Sequence, residues 1–319
     1  MIDDHAEVIE DHVRIIEVGA HRGLQSQAKV LPVMVRSNLI ELLESAGIAE
    51  MEVGSFSPQS AAAQMTDATE IYAQLGPSPV DRIRSVLVPD MKGLEMAVAG
   101  GFRDITVALA ASNAYCRANL NCNIDESLRR ADQIAERALT LGIQVRATLS
   151  TIIHCPLSGA VAPADVTAIV ATLHNMGCRE ISLCDTTGSG TPASVGKLLR
   201  MCAAEVPMHC LAAHFHDTYG LGVANMIEAL EQGVRAFDGA ISGLDGDSHA
   251  ADAACSLATE DLVYLCSELG VRCHVDLDGL LLAADYIDCV LERRTGSRVG
   301  RALRARRNQR ERAAAGWAR

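Results

Sequence analysis

The sequence predicts a (β/α)8 TIM barrel with extra C-terminal helices. Short β-rich runs alternate with longer amphipathic ones along almost all of the 319 residues. Glycines stand just past several of the helical patterns, where a left-handed cap belongs. No glycine-rich phosphate loop follows the first strand candidate, which argues against an open, doubly wound sheet. Regular alternation with short loops calls for parallel strands, and eight units are enough to close a barrel.

The strand candidates, in order, are Val13–Val18, Glu50–Val53, Ser85–Val88, Asp104–Leu109, Gln144–Leu149, Glu180–Leu183, Cys210–His214 and Ala236–Ile241. Each is short and rich in aliphatic or β-branched residues, as strands covered on both faces require. Helical periodicity fills the intervals at Val35–Ala46, Ala63–Leu75, Glu126–Leu141, Ala164–Met176, Ala193–Glu205 and Gly222–Gln232. Gly47, Gly142, Gly177 and Gly233 are the expected caps. Two more helices, Thr259–Gly270 and Asp276–Glu292, follow the eighth strand. Residues 1–292 therefore read as one barrel domain, and residues 293–319 as a basic tail crowded with Arg301, Arg304, Arg306, Arg307, Arg310 and Arg312. Composition assigns that tail to a solvated, partly helical extension.

Composition narrows the function. A hydrophobic fraction of 49% can bury a large core. No run is long enough to span a bilayer, and the amino terminus lacks a charged-then-apolar signal pattern, so a cytoplasmic protein without membrane contact is expected. The 11 cysteines form no CxxC pair and read as reduced thiols acting as small core residues. A net charge of −12 and only 3% aromatics argue against nucleic-acid binding.

The chemistry concentrates at His214-Phe215-His216-Asp217-Thr218-Tyr219-Gly220. On an extended strand, residues i and i+2 face the same way, so both imidazoles share one side, a natural half-site for a divalent metal. Two packed histidines would show the same spacing. Active sites of such barrels form at the carboxyl ends of the strands, and polar residues gather there: Glu17, His21 and Arg22 after strand one, Glu52 and Ser55 at strand two, Asp185 and Thr186 at strand six, Asp245 and Asp247 after strand eight. Arg146 lies on strand five. Lys29, near the expected mouth, is a candidate contact for a cofactor phosphate. His154 and His249 are weaker candidates, more simply read as a turn and a loop histidine.

Five segments then resemble the hydroxymethylglutaryl-CoA lyase family in order: Glu17-Val18-Gly19 with Gly23-Leu24-Gln25, Glu52 with Ser55-Phe56, Glu180 to Thr186, His214 to Gly220, and Leu257 to Val263. The resemblance runs from about Glu17 to about Arg294. It implies a carbon–carbon lyase that cleaves a 3-hydroxyacyl-CoA, 3-hydroxy-3-methylglutaryl-CoA or a related thioester, by retro-aldol chemistry to acetyl-CoA and a keto product. It implies a divalent cation, Mg2+ or Mn2+, held by an aspartate, two histidines and an asparagine. The terminal helices beyond the eighth strand make a homodimer through the outer helices the expected assembly. The metal histidines map to His214 and His216, and other site positions to Glu52, Arg146, Asp185 and Glu260. The catalytic arginine maps to His21, the metal aspartate to Arg22, the metal asparagine to Ser256, and the loop cysteine to Asp247. Three readings follow. The site is rebuilt, with Arg22 binding substrate and His214 or His216 as base oriented by Asp185 or Glu52. Or metal is held by the two histidines and a carboxylate such as Asp247. Or the barrel is catalytically silent and binds an acyl-CoA or a partner protein.

Overall fold

The computed structural model describes residues 12–25, 27, 29–56, 68–244 and 255–316. Asp245, Asp247 and His249 lie outside the described residues. Eight parallel strands close a barrel: β1 (Arg14–Glu17), β2 (Glu50–Ser55), β3 (Ile83–Leu87), β4 (Asp104–Ala110), β5 (Gln144–Ser150), β6 (Glu180–Asp185), β7 (Leu211–Phe215) and β8 (Ala236–Gly239). Each strand pairs with the next in sequence, and β8 returns to β1 with Arg14 opposite Ala236 and Glu17 opposite Gly239. The expected eighth strand is shorter than its apolar run. After Gly239 the chain turns through a 3-10 segment, Ile241–Gly243.

Helices α1 (Arg22–Gln25), α2 (Val33–Ser45), α3 (Ala68–Leu75), α4 (Met91–Ala99), α5 (Asn113–Leu120) and α6 (Ile124–Thr140) follow the first four strands. Helices α7 (Pro163–Asn175), α8 (Pro192–Ala203), α9 (Gly222–Glu231), α10 (Thr259–Glu268), α11 (Leu277–Val290) and α12 (Arg298–Gly316) complete the layer. Helices α4 and α5 are additions to the expected set. The latter starts at Ser112, whose side chain accepts from the Tyr115 N–H, and ends at Asn121 in a left-handed conformation. The short hairpin after β5 pairs His154–Cys155 with Gly159–Ala160. The four expected cap glycines all adopt positive φ; at Gly47 a Cβ would also stand 2.4 Å from the His274 carbonyl oxygen.

Strand alternation sorts the two faces. On β5, Val145, Ala147 and Leu149 point outward and pack in the main apolar core with Leu39, Val170 and Leu198 of the helices. Arg146 and Thr148 point inward, opposite Glu180 and Ser182 of β6. Each fully buried aliphatic side chain in the outer layer contributes about 1.5–3 kcal/mol. The barrel interior is mixed, a small apolar cluster of Ile16, Val18, Ala212 and Ala236 lying among buried charges. Arg14 donates to Glu50 at 2.6 Å and also meets Glu180. Arg146 donates to Glu180 at 2.7 Å and to Asp238 at 2.6 and 3.3 Å. Buried charges persist only when paired and hydrogen-bonded in this way.

The C-terminal segment is better anchored than a solvated tail. Asp261 caps α12, accepting from the Ser297 hydroxyl at 2.7 Å and the Val299 N–H at 2.9 Å. Arg304 bridges to Asp285 and Asp288 of α11, and Arg298 to Asp217 beyond β7. From Ala305 to Ala313 the helix is exposed.

Candidate active site

Two groups of side chains occupy the carboxyl end of the barrel. The first follows β1. His21 and Arg22 begin a tight turn in which the Arg22 N–H bonds the Val18 carbonyl at 2.8 Å. His21 is buried, and its Nδ1 sits 2.7 Å from Glu52 Oε1. Arg22 Nε donates to the same oxygen at 2.8 Å, and its Nη2 donates to Glu52 Oε2 at 3.1 Å and Thr148 Oγ1 at 3.0 Å. Nη1 donates to no described residue, and the Arg22 side chain is 21% exposed. Burial alone would raise Glu52, but the Arg22 charge and the His21 hydrogen bond hold it well below the ordinary carboxylate range. Burial pushes His21 below its ordinary value against the pull of Glu52. The carboxylate 2.7 Å from Nδ1 favours the tautomer with its proton on that nitrogen.

The second group spans β6, β7 and β8. His214 lies opposite Cys184 in the β6–β7 register and opposite Asp238 in the β7–β8 register. His214 Nδ1 is 3.3 Å from Asp238 Oδ2, and Nε2 is 3.3 Å from Ser256 Oγ. Asp238 also accepts from Ser182 at 2.7 Å. Burial would raise its carboxyl, but Arg146 and then His214 hold it well below the usual range. His216 pairs in a bridge with Ser256, and the rings of His214 and His216 stand 5.2 Å apart. One donor atom each from Cys184, His214 and His216 lies within 4.8 Å of the others, and all three residues are buried.

Several expected roles change. Neither Asp185 nor Glu52 orients His214; Asp238 does. Parity is the reason: Asp185 falls opposite Phe215, one residue out of step with the pair Cys184 and His214. Its Oδ2 instead accepts the Gly190 N–H at 2.7 Å and shapes the turn before α8, while burial raises its pKa. Arg146 lies deep in β5, not at the mouth, with its guanidinium engaged by Glu180 and Asp238. Glu260, fully buried in the first turn of α10, accepts the Ser242 N–H at 3.0 Å, and burial pushes its carboxyl up to about 8. Ser242 has φ +57°, a strained value for a residue with a Cβ. Glu260 holds its N–H, and Asp288 takes its hydroxyl at 2.6 Å. Glu17 ties the same turn, accepting from the N–H groups of Gly19 at 2.6 Å and Ile241 at 2.9 Å and from Thr259 Oγ1 at 2.5 Å; burial raises it to about 7. Lys29 donates to the Val290 carbonyl at 2.8 Å and lies 3.7 Å from Glu292, so its charge is engaged at the end of α11.

Asp238, Glu180 and Cys184 were not singled out from the sequence. Their signal was parity: a charged or donor residue on the inward-facing register of one strand needs a partner on the next.

A closed parallel barrel with charged and donor side chains gathered at the carboxyl ends of its strands is the arrangement of a TIM-barrel enzyme. The chain belongs to the HMGL-like family, whose model matches residues 12–287. The mitochondrial hydroxymethylglutaryl-CoA lyase of Bos taurus is 41% identical over 290 residues, 91% of this chain and 89% of the bovine protein. The crystal structure of hydroxymethylglutaryl-CoA lyase from Pseudomonas aeruginosa superposes with a TM-score of 0.89 at 36% identity, covering 93% of this chain and 99% of that one. A structure of an HMG-CoA lyase from Acinetobacter baumannii in complex with coenzyme A and 3-methylmalate gives a TM-score of 0.87 at 30% identity, covering 92% of this chain and 95% of that one. Among the described residues no helix is long and apolar enough to cross a membrane.

Proposed function

We propose that this chain is a carbon–carbon lyase that cleaves 3-hydroxy-3-methylglutaryl-CoA, or a closely related 3-hydroxyacyl thioester, to acetyl-CoA and a keto acid. The observation that carries the reading is the His21–Glu52–Arg22 triad beside the His214–Asp238 pair. In this reaction the hydroxyl proton leaves, the electrons of the carbon–carbon bond pass to the thioester enolate, and the enolate carbon then takes a proton.

His21 suits the first step. Its imidazole is held by Glu52, and as acceptor of the hydroxyl proton it would become an imidazolium stabilised by the carboxylate behind it. The same imidazolium can return the proton to carbon. Arg22 keeps two N–H bonds of Nη1 for an anionic oxygen of the substrate, while the fork to Glu52 fixes its plane. Glu52 positions both groups and is too firmly anionic to act as the base itself. A divalent ion on the His214–His216 side would polarise the substrate oxygens it holds. The identity over nine-tenths of the chain supports turnover over silent binding.

The test is mass-spectrometric detection of acetyl-CoA from a panel of 3-hydroxyacyl thioesters. His21→Gln should lower kcat by roughly 10²–10⁴ while substrate still binds. No acetyl-CoA from any member of the panel, with or without added divalent metal, overturns the proposal.

A further inference from the structure

We infer that Cys184 is a metal ligand, and that with His214 and His216 it forms a thiolate–bis-imidazole site for a divalent ion of zinc's class rather than for magnesium or manganese.

Three observations carry this. The first is placement. Cys184 is paired in register with His214, and His216 follows two residues on, so all three side chains enter the barrel together. Their donor atoms lie within 4.8 Å of one another. Ligands at zinc bond lengths of about 2.0–2.3 Å stand roughly 3.5 Å apart, so a closure of about an ångström, reachable by side-chain rotation, completes the set.

The second is the supply of oxygen donors. Hard ions such as Mg2+ and Mn2+ want carboxylate or carbonyl oxygens. The nearby carboxylates are committed: Glu52 to His21 and Arg22, and Asp238 to Arg146, Ser182 and His214. Among the described residues the cluster contains no carboxylate. Nitrogen and sulfur donors suit zinc.

The third is charge. A bare guanidinium 4 Å from a unit positive charge costs about 4 kcal/mol at an intermediate dielectric, and a dication would face more. Arg22 is not bare, because Glu52 neutralises it in a bidentate pair. The Cys184 thiolate then supplies the one negative charge among the ligands. Asp238 completes the arrangement from behind, since a carboxylate on Nδ1 of a ligating histidine fixes its tautomer and raises its basicity.

The inference rests on the barrel mouth being the site proposed above, but its readout is metal binding, so absence of turnover leaves it standing. Chelator-treated protein is titrated with Co2+ and followed by absorption. Wild type should give both visible d–d bands and a near-ultraviolet sulfur-to-cobalt charge-transfer band. Zn2+ at equimolar level should abolish both, and millimolar Mg2+ should leave them in place. Cys184→Ser should lose the charge-transfer band and bind Zn2+ more weakly by over the roughly 10–100-fold that loss of an outer-shell partner costs. His214→Ala should lose both bands. Thermal unfolding with and without Zn2+ gives a second measure, with a rise in wild type and little or none in Cys184→Ser. No Co2+ binding, a spectrum without the charge-transfer band, or a band that survives Cys184→Ser overturns the assignment.

Discussion

Replacing Asp238 with asparagine removes one charge and keeps the shape. In the wild type this carboxylate meets four polar groups: Arg146 Nη2 at 2.6 Å, Ser182 at 2.7 Å, and Arg146 Nη1 and His214 Nδ1 at 3.3 Å. The variant leaves Arg146 with Glu180 alone, and Glu180 is already shared with Arg14. Breaking a buried pair from one side costs about 3–5 kcal/mol. At roughly 2–4 °C per kcal/mol, the melting temperature should fall by about 6–20 °C. The asparagine also sets an N–H donor among the donors of Arg146, so the loss should fall in the upper part of that range. Because the His214 tautomer is no longer fixed, metal affinity should drop about 10–100-fold. Thermal unfolding by circular dichroism, together with Co2+ titration below the new midpoint, measures both. A melting temperature within about 2 °C of wild type, or unchanged Co2+ affinity in a folded variant, would show that Asp238 does not organise the interior.

Three further outcomes are expected. His21 must be neutral to act as base and its pKa is lowered by burial, so the acid limb of kcat/KM should lie below the ordinary histidine value and vanish in His21→Gln; a limb above that value contradicts the assignment. Glu260 is raised from 4.5 to about 8, so the folded protein binds its proton more tightly than the unfolded chain does. That stabilisation is complete below pH 4.5 and is lost as pH rises toward about 8. Glu260→Gln should therefore lose less melting temperature than wild type between about pH 6 and 9, and parallel pH curves for the two proteins would refute this. Asp185→Asn, which weakens the bond from the Gly190 N–H, should cost about 1–3 kcal/mol of stability and lower kcat/KM less than tenfold. A collapse of kcat without loss of stability would restore a catalytic role to this carboxylate.

The barrel was legible because its outer layer obeys simple periods. Val145, Ala147 and Leu149 alternate with polar residues on β5, and glycines such as Gly47 end helices where the chain must turn left-handed. The pairing of His214 with His216 followed from the same two-residue period. The orienting group did not. Asp238 stands alone among Ala236, Phe237 and Gly239, and gains its partners only when closure brings Arg146 and His214 to it. Cys184 was hidden by composition, as one of 11 cysteines read as core residues; its register with His214 is what makes it a donor. Asp185 misled for the opposite reason, since a carboxylate at a strand end reads as chemistry until its parity turns it toward the helix layer. Glu17 and Glu260 belong to the strained turn at Ser242, a demand of local backbone geometry that no spacing announces.

The most direct measurement of the account is single-turnover cleavage of 3-hydroxy-3-methylglutaryl-CoA by wild type, His21→Gln and Arg22→Ala, with products resolved by mass spectrometry. Wild type should release acetyl-CoA and acetoacetate in equal amounts. His21→Gln should retain bound substrate but form product roughly 10²–10⁴ times more slowly, and Arg22→Ala should lose binding and rate together. Equal rates in wild type and His21→Gln would contradict the assignment of the proton transfer to the triad after β1.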